Sequence, residues 1–326
     1  MTFDFDQPVE RVGSGSLKWD KYAGRDILPL WVADSDFVSP PAVVAALRER
    51  AEHGVFGYGS EPASLNETVL ATLANEFQWE VEPSWLVWLP GLVCGLSVTC
   101  RAVGEPGDGV AVTTPVYPPF LKVPALMDRK LDTIPLQGDN TAGWTVDAKR
   151  FAAGLDLRTR LFLLCHPHNP VGRAWTATEL GEMAEVCLSR RVIMCSDEIH
   201  NQLILDPQRR HVPLATLGPE IAARTITLLA PSKTFNIAGL GCSVAVIPDA
   251  ALRRRFTRAM AGIVPHVNVM GLVAAEAAWR EGGPWLAEQL AYLRGNRDFL
   301  ATEIADMPGV TMATVEATYL AWLDIK

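Results

Sequence analysis

The fold is decided by residues 228–236, which read LLAPSKTFN. Thr225 to Leu229 are apolar or β-prone and predict a buried strand. A Pro-Ser break follows, and Lys233 comes directly after it, so the strand presents one amine at its end. Such an amine forms Schiff bases with carbonyl compounds when partial burial or a neighbouring cation lowers its pKa. The alternative is an ordinary surface lysine, and the remainder of the chain has to decide between the two.

The composition favours a globular protein with one or two domains. The chain has 326 residues, of which 49% are hydrophobic, and its mean hydropathy is +0.13. The net charge of −8 and the absence of a basic run make nucleic acid and anionic membranes poor partners. The six cysteines form no CxxC pair, which favours reduced thiols and a cytoplasmic protein. The acidic first ten residues lack an apolar core, so we expect no signal peptide.

Residues 83–100 are the one stretch that resembles a membrane span. They carry no charge and are nearly long enough to cross a bilayer. Pro90, Gly91 and Gly95 interrupt them, however, and the pattern fits a strand, a turn and a helix better than one long helix. We therefore expect no membrane partner.

Apolar strands alternate with helical patterns, which predicts an α/β fold with a mostly parallel sheet flanked by helices. Strands are predicted at residues 85–89, 109–113, 161–165, 192–196, 225–229 and 243–247, and helices at 40–52, 64–77, 91–103 and 176–189. From about Asp249 the chain becomes helical, with an apolar stripe at Leu286, Leu290, Leu293, Leu300 and Ile304. The apolar run from Thr318 to Ile325 predicts a last strand.

Polar groups lie just where predicted strands end, at the edge of an open sheet where ligands gather. Asp197 could pair with the protonated pyridine nitrogen of pyridoxal phosphate and keep that ring an electron sink, or it could cap a helix or turn. Asn169 could donate to the 3-oxygen of the ring, or it could simply belong to the turn at residues 166–170. His200 could supply a second contact there, or be a satisfied polar residue.

Three further features are weaker signals. Tyr117, in a proline-rich loop, could stack on a flat ring or pack in the core. Gly91, Leu92 and Val93 open a helix, where free backbone N–H groups suit a phosphate, although neither Leu92 nor Val93 has a polar side chain. His166 and His168 have a spacing found in metal sites, but no third ligand accompanies them, so we predict no metal.

With these candidate residues in this order along the chain, at the ends of predicted strands, the sequence resembles the fold-type I pyridoxal-phosphate enzymes of the class I and II aminotransferase superfamily. Within that superfamily it is similar to the cystathionine β-lyase/C–S lyase branch, the MalY/PatB group. The resemblance spans essentially the whole chain. It rests on KWD (18–20), WVADSDF (31–37), FGY (56–58), PVY (115–117), CHPHNPVGR (165–173), SDEIH (196–200) and SKTFNIAGL (232–240). Ser35 departs from the methionine usual at that position.

The resemblance implies a role for each candidate. Lys233 would hold pyridoxal 5′-phosphate as a Schiff base, Asp197 would pair with the pyridine nitrogen, and Asn169 would contact the 3-oxygen. Tyr117 would stack on the ring. The phosphate would be bound by Ser232, by the amides of Leu92 and Val93, and by Tyr58 of the neighbouring subunit, which implies a homodimer.

The same resemblance implies the activity and the domains. We expect a lyase that converts cystathionine or a related cysteine S-conjugate to a thiol, pyruvate and ammonia; an aminotransferase and a cofactor-binding regulatory protein with weak turnover are the alternatives. Residues 49–270 would form the cofactor-binding large domain, and residues 1–48 and 271–326 would contribute to a smaller α+β domain.

The resemblance also implies that this smaller domain is incomplete at its carboxyl end. Family members continue past the strand that residues 318–325 resemble, and the continuation supplies the arginine that clamps the substrate carboxylate. We therefore expect either a fragment or a naturally truncated protein. Within the chain, Arg11, Arg25 and Arg173 are the arginines to consider for the carboxylate.

Overall fold

The computed structural model describes residues 3–326, and a seven-stranded sheet lies at its centre. Its strands are β1 (Leu86–Leu89), β2 (Gly109–Thr114), β3 (Lys130–Pro135), β4 (Thr159–Cys165), β5 (Ile193–Asp197), β6 (Thr225–Leu229) and β7 (Ser243–Val246). Their spatial order is β1-β7-β6-β5-β4-β2-β3. Strands β3, β2, β4, β5 and β6 run parallel, whereas β7 is antiparallel to both β6 and β1. The prediction of a mostly parallel sheet is confirmed.

Helices cover both faces of this sheet. The α-helices of the described chain are α1 (Leu17–Asp20), α2 (Pro41–His53), α3 (Ala63–Phe77), α4 (Leu92–Ala102), α5 (Pro118–Leu126), α6 (Ala148–Gly154), α7 (Ala177–Ser189), α8 (Pro219–Ala222), α9 (Ala250–Met260), α10 (Val269–Glu281) and α11 (Gly283–Ala305). Helix α7 begins with a capping box, in which Thr176 and Glu179 bond to each other's main chain. The stretch considered as a membrane span forms β1, a turn and α4, and no helix within residues 3–326 is long and apolar enough to cross a membrane.

The apolar character of the strands follows from burial on both faces. In β4, Leu161 and Leu163 pack into a core cluster with α4, α5 and α9, whereas Phe162 and Leu164 pack into a second cluster with α6, α7 and α8. Successive side chains of a strand point to opposite faces, so a strand covered on both sides must be apolar throughout. This is why the sequence shows runs without polar alternation.

The carboxyl ends of β4, β5 and β6 meet at one edge of the sheet. The ladder continues slightly past the strands: the His166 N–H donates to the Asp197 carbonyl at 2.9 Å, and the Glu198 N–H donates to the Leu228 carbonyl at 2.9 Å. Strand β1 is parallel to β6, because both are antiparallel to β7, and therefore the start of α4 faces the same edge. The turns that follow β1, β4, β5 and β6 therefore lie at the same edge of the sheet.

The predicted last strand is wrong over most of its length. Only Leu323–Ile325 is a strand (β9), which pairs with β8 (Val310–Met312). Thr318 has a φ of +71°, in the left-handed region, so the backbone cannot continue as a strand there. Its N–H donates instead to the carbonyl of Leu203 in the turn after β5. Tertiary pairing with this turn overrides the local preference of the apolar run.

The carboxyl-terminal helical region follows the sequence pattern only in part. In α11, Leu286 and Ile304 of the predicted stripe are buried, but Leu300 is 40% exposed. The amino-terminal region, for which the sequence pattern predicts no helix before residue 40, contains the short helix α1. The division into residues 1–48, 49–270 and 271–326 stays a prediction.

Candidate active site

Lys233 lies in the turn after β6, and its amine is mostly buried. Its Nζ donates a hydrogen bond of 2.5 Å to the main-chain carbonyl of Ala33. Burial lowers the pKa of the lysine, while the negative charges of Asp34 and Asp197 act in the opposite direction. A buried amine with a lowered pKa carries more of its free-base form near neutral pH, which is what a nucleophilic lysine requires.

Asp197 is the last residue of β5, directly beside β6, and it is 5% exposed. Burial raises the pKa of its carboxyl group to about 7, and the neighbouring Glu198 charge adds to this. One carboxylate oxygen accepts from the Ile199 N–H at 3.2 Å. Within residues 3–326 its second oxygen has no hydrogen-bond donor, so this oxygen can accept a hydrogen bond from a protonated group of a ligand.

His200 follows in the same turn, and both of its ring nitrogens are buried without a hydrogen-bond partner in the described chain. Burial lowers the pKa of His200 to about 3, and the charge of Lys233 lowers it further, so the ring is neutral. Its ring meets that of Tyr319 edge to face, with 6.3 Å between the centroids. A buried polar ring without hydrogen-bond partners is unfavourable. The residues described here thus do not satisfy His200, and its contact with a cofactor stays a prediction.

Tyr117 and Asn169 lie together on the other side of Asp197. The Tyr117 N–H donates to the Asn169 carbonyl at 3.1 Å. Tyr117 is 37% exposed, and both burial and the Asp197 charge raise the pKa of its phenol, which places the ring near that carboxylate. The Asn169 side-chain amide bonds to no group in the structure as described. Tyr117 thus lies near Asp197, and the contact of Asn169 with a cofactor stays a prediction.

The start of α4 offers backbone donors at the same edge. Its N-cap, Gly91, has no side chain, and nothing in the described chain caps the helix. The amides of Leu92 and Val93 therefore lack the partner that an interior helical residue has. Leu92 is buried and Val93 is exposed, so only main-chain groups are available there. Ser232, next to Lys233, is half-buried, and its hydroxyl makes no hydrogen bond within residues 3–326.

Tyr58 is the one candidate that the fold does not bring to this place. It lies in the loop between α2 and α3 and is fully exposed. Within the described residues, Tyr58 makes no contact with the site of its own chain. Its placement in a partner's site stays a prediction.

The sequence analysis missed the groups that face Lys233 from distant parts of the chain. Ala33 accepts from Lys233, and the Tyr319 hydroxyl donates to the same carbonyl at 3.3 Å. Asp34 pairs with Arg11 at 2.8 Å. The WVADSDF stretch was noted for its resemblance alone, because an irregular segment carries no periodicity from which contacts can be predicted.

The arginines considered for a substrate carboxylate are largely committed elsewhere. Arg11 forms ion pairs with Asp34 and Asp36, each at 2.8 Å. Arg173 pairs with Glu179 at 2.8 Å and with Glu316 at 3.0 Å. These arginines hold the segments around the site in position.

The histidines at 166 and 168 turn to separate partners. His168 shares a hydrogen bond of 2.8 Å with the Pro115 carbonyl. The His166 ring stacks on His211 at 4.4 Å, and His211 lies 2.7 Å from a carboxylate oxygen of Glu198. His166 and His211 thus belong to a buried polar cluster next to Asp197.

A strand-end lysine and a strand-end aspartate on adjacent parallel strands agree with the family comparison. The profile of the family described as aminotransferase class I and II matches residues 25–326. The chain belongs to this family. The predicted membership of the class I and II aminotransferase superfamily is confirmed.

Individual members of the family are similar over nearly the whole chain. Cystathionine β-lyase PatB of Bacillus subtilis is 39% identical, and the match covers 99% of this chain and 85% of PatB. Among solved structures, OvoB is 45% identical with a TM-score of 0.96, and the match covers 99% of this chain and 85% of OvoB. Cystalysin from Treponema denticola, which contains pyridoxal 5′-phosphate, is 32% identical with a TM-score of 0.95, covering 99% and 84%.

Proposed function

We propose that this protein is a pyridoxal-5′-phosphate-dependent carbon–sulfur β-lyase. It would cleave cystathionine or a related L-cysteine S-conjugate to a thiol, pyruvate and ammonia. The observation that carries the proposal is the buried Lys233 amine, whose pKa is lowered and which lies close to the Asp197 carboxylate. The names of the relatives support it, since PatB is a cystathionine β-lyase and cystalysin contains pyridoxal 5′-phosphate.

The groups left without partners at this edge fit the cofactor. We propose that Asp197, with its free oxygen, faces the pyridine nitrogen. His200 and Asn169 would serve the 3-oxygen, since the His200 ring is buried without partners and Asn169 has a free amide. Tyr117 would lie along the ring as an aromatic neighbour. A ligand that met these groups would remove the cost of burying them unpaired.

The phosphate would be held at the start of α4. The amides of Leu92 and Val93 point out of the first helical turn, where the helix dipole favours an anion. The Ser232 hydroxyl is available beside Lys233. The dimer and the role of Tyr58 in a partner's phosphate site complete the proposal, because its full exposure leaves it free to reach another subunit.

The chain's own residues then account for the reaction. When bound, the cofactor supplies an electron sink for the electron pair that deprotonation leaves on the substrate Cα. Lys233 would hold the cofactor through its amine and, once exchanged for the substrate amine, would accept the proton from Cα. Burial lowers the pKa of this amine and so favours its unprotonated form. The Asp197 carboxylate, ionised opposite a cationic nitrogen, would keep that nitrogen protonated.

Three coarser expectations belong to the same proposal. Residues 49–270 would form the large cofactor-binding domain, and residues 1–48 and 271–326 would contribute to the smaller one. The partner would be a small-molecule amino-acid substrate. A cytoplasmic location would suit the six free cysteines, of which only Cys94 is not fully buried.

The deciding experiment is an assay with cystathionine and no keto-acid acceptor. Continuous release of pyruvate and free thiol is expected, and Lys233→Ala should abolish it, whereas Lys122→Ala, an exposed lysine on α5, should not. A single turnover that stops and restarts only when a keto acid is added would identify an aminotransferase, the other activity that the family description allows.

A further inference from the structure

A fully buried carboxylate follows Asp197 in the chain and has no part in the proposed reaction. It belongs to Glu198, whose side chain is 0% exposed. One of its oxygens accepts from the Ser196 hydroxyl at 2.8 Å and from the Leu214 N–H at 3.1 Å. The other oxygen lies 2.7 Å from Nε2 of His211. A carboxylate is tolerated in the interior where such donors replace its lost hydration, and Glu198 has three of them.

The pair of Glu198 and His211 carries a net negative charge. Burial lowers the pKa of His211 to about 3, so its ring is neutral. Burial raises the pKa of Glu198 to about 7, so this carboxyl group is ionised in solutions above neutral pH. An ionised carboxylate can only accept, which assigns the proton of the neutral ring to Nε2. The other ring nitrogen, Nδ1, has no hydrogen-bond partner within residues 3–326.

The groups around this pair hold Asp197 without cancelling the charge of Glu198. His166 stacks on His211 with 4.4 Å between the ring centroids, and its main-chain N–H donates to the Asp197 carbonyl at 2.9 Å. Its Nε2 shares a hydrogen bond of 3.1 Å with the Val212 carbonyl. Burial lowers the pKa of His166 to about 3, so this ring is neutral as well. In the described part of the chain, no lysine or arginine pairs with Glu198.

The charge of Glu198 can act on a ligand of Asp197 even though its side chain cannot reach that ligand. Successive side chains of a strand point to opposite faces, and the bond from Ser196 to Glu198 shows that these two share the face away from Asp197. Consecutive Cα atoms are about 3.8 Å apart, so the two carboxylates lie within roughly 10 Å of each other. Burial and, in addition, the Glu198 charge raise the pKa of Asp197. A cation bound by Asp197 would therefore be stabilised by both charges.

We propose that Glu198 is a positioning residue, which acts through Asp197 to keep the pyridine nitrogen of the cofactor protonated. Its carboxylate supplies a second negative charge behind Asp197, and the donors from Ser196, His211 and Leu214 keep that carboxylate ionised. The inference rests on the proposed function, because it takes Asp197 to face the pyridine nitrogen. It assigns Glu198 a role that requires no contact with cofactor or substrate.

The test measures how strongly the full chain prefers pyridoxal 5′-phosphate to its 1-deaza analogue, in which a carbon replaces the ring nitrogen. The ratio of the two dissociation constants at about pH 8 isolates the contribution of the protonated nitrogen. Glu198→Gln should lower this preference about tenfold, because a unit charge roughly 10 Å away is lost. Glutamine preserves the contacts, since its carbonyl can accept from Ser196 and Leu214 while its amide donates to the other tautomer of His211.

Three further variants separate the outcomes. Phe77→Leu removes a ring that packs against His211 at 5.4 Å, and it should leave the preference unchanged because no charge is altered. His211→Phe keeps a ring beside His166 but removes a donor to Glu198, so it should lower the preference even if Glu198→Gln does not fold. Asp197→Asn should abolish the preference, and if it does not, the proposed function is wrong at Asp197. If Asp197→Asn abolishes the preference but the folded Glu198→Gln or His211→Phe protein retains it, the role of Glu198 is overturned.

Discussion

The Lys233 amine and the main-chain carbonyl of Ala33 form a hydrogen bond across 200 positions of the sequence. The Tyr319 hydroxyl donates to the same carbonyl. One oxygen atom of the irregular amino-terminal segment is thus held by the strand-end lysine and by the last part of the chain. This arrangement covers the amine and contributes to the burial that lowers its pKa.

Tyr319→Phe should loosen this segment while leaving the fold intact. The variant removes one of the two donors to the Ala33 carbonyl, and a single hydrogen bond is worth about 1 kcal/mol. We expect amide hydrogen exchange in residues 31–37 to become roughly fivefold faster. Tyr292→Phe, which removes an exposed hydroxyl bonded to Asp6, is the matched control. Equal exchange in the two variants would show that Tyr319 does not restrain the segment.

Lys233 should be the only lysine that binds the cofactor covalently. The purified protein is expected to be yellow, and borohydride reduction followed by peptide mapping should place the cofactor on Lys233, because this amine is buried and carries a lowered pKa. Lys233→Ala should prevent the labelling, while Lys122→Ala should not. Labelling at another lysine would refute the central assignment.

Asp197→Asn should impair turnover far more than it impairs folding. The amide cannot stabilise a protonated pyridine nitrogen, so the electron sink is weakened and kcat should fall by on the order of a hundredfold or more. The exposed Asp26→Asn is the control. Steady-state rates with cystathionine measure the effect, and a kcat within a few-fold of the unsubstituted protein would remove Asp197 from its proposed role.

The buried His168 should make the protein sensitive to acid. Burial lowers the pKa of His168 to about 4, from the usual value of about 6.5 for a solvated histidine. Between pH 4 and pH 6.5, His168 binds a proton more readily in the unfolded chain than in the folded one. The contribution of His168 to the free energy of unfolding is therefore complete above pH 6.5 and is lost as the pH falls toward 4. At pH 5.5 the loss is on the order of 1 kcal/mol.

The comparison of His168→Gln with the unsubstituted protein isolates this contribution. His166, His200 and His211, with pKa values lowered to about 3, act in the same direction, whereas Asp197 and Glu198, with pKa values raised to about 7, act oppositely. Urea unfolding at pH 7.5 and pH 5.5 should therefore show a smaller loss of stability on acidification in the variant. An identical pH dependence in the two proteins would contradict the lowered pKa.

The strands that carry the site could be predicted from the sequence because their local signals agree with the fold. Strand β6 was predicted with its observed bounds, and β5 was misplaced by one residue, since short apolar runs bounded by turn residues admit little else. The common location of Asp197 and Lys233 follows directly from these strands, because neighbouring parallel strands have their carboxyl ends at the same edge of the sheet.

Contacts between distant segments could not be predicted in the same way. The bond from Lys233 to Ala33 joins a strand end to a segment without periodicity. The left-handed Thr318 interrupts an apolar run whose local preference is extended, because the segment pairs with the turn after β5. Helix α5 begins with Pro118 and Pro119, which the sequence pattern assigned to the proline-rich loop around Tyr117. In each case tertiary contacts outweigh the local preference.

Tyr58 provides the sharpest test of the proposed homodimer. It is fully exposed, and its neighbours Val55 and Phe56 are also mostly exposed, so this loop presents apolar surface that a second copy would cover. Light scattering of the cofactor-loaded protein should give a dimer. Tyr58→Phe should leave the dimer intact but weaken cofactor retention by about 1 kcal/mol or somewhat more, roughly five- to tenfold in Kd, because a hydrogen bond to a charged phosphate is lost. Dialysis against cofactor-free buffer measures this loss, with Tyr22→Phe as the control. If the unsubstituted protein is a monomer, and if the Tyr58→Phe variant retains the cofactor as tightly as the unsubstituted protein does, no second subunit contributes to the site.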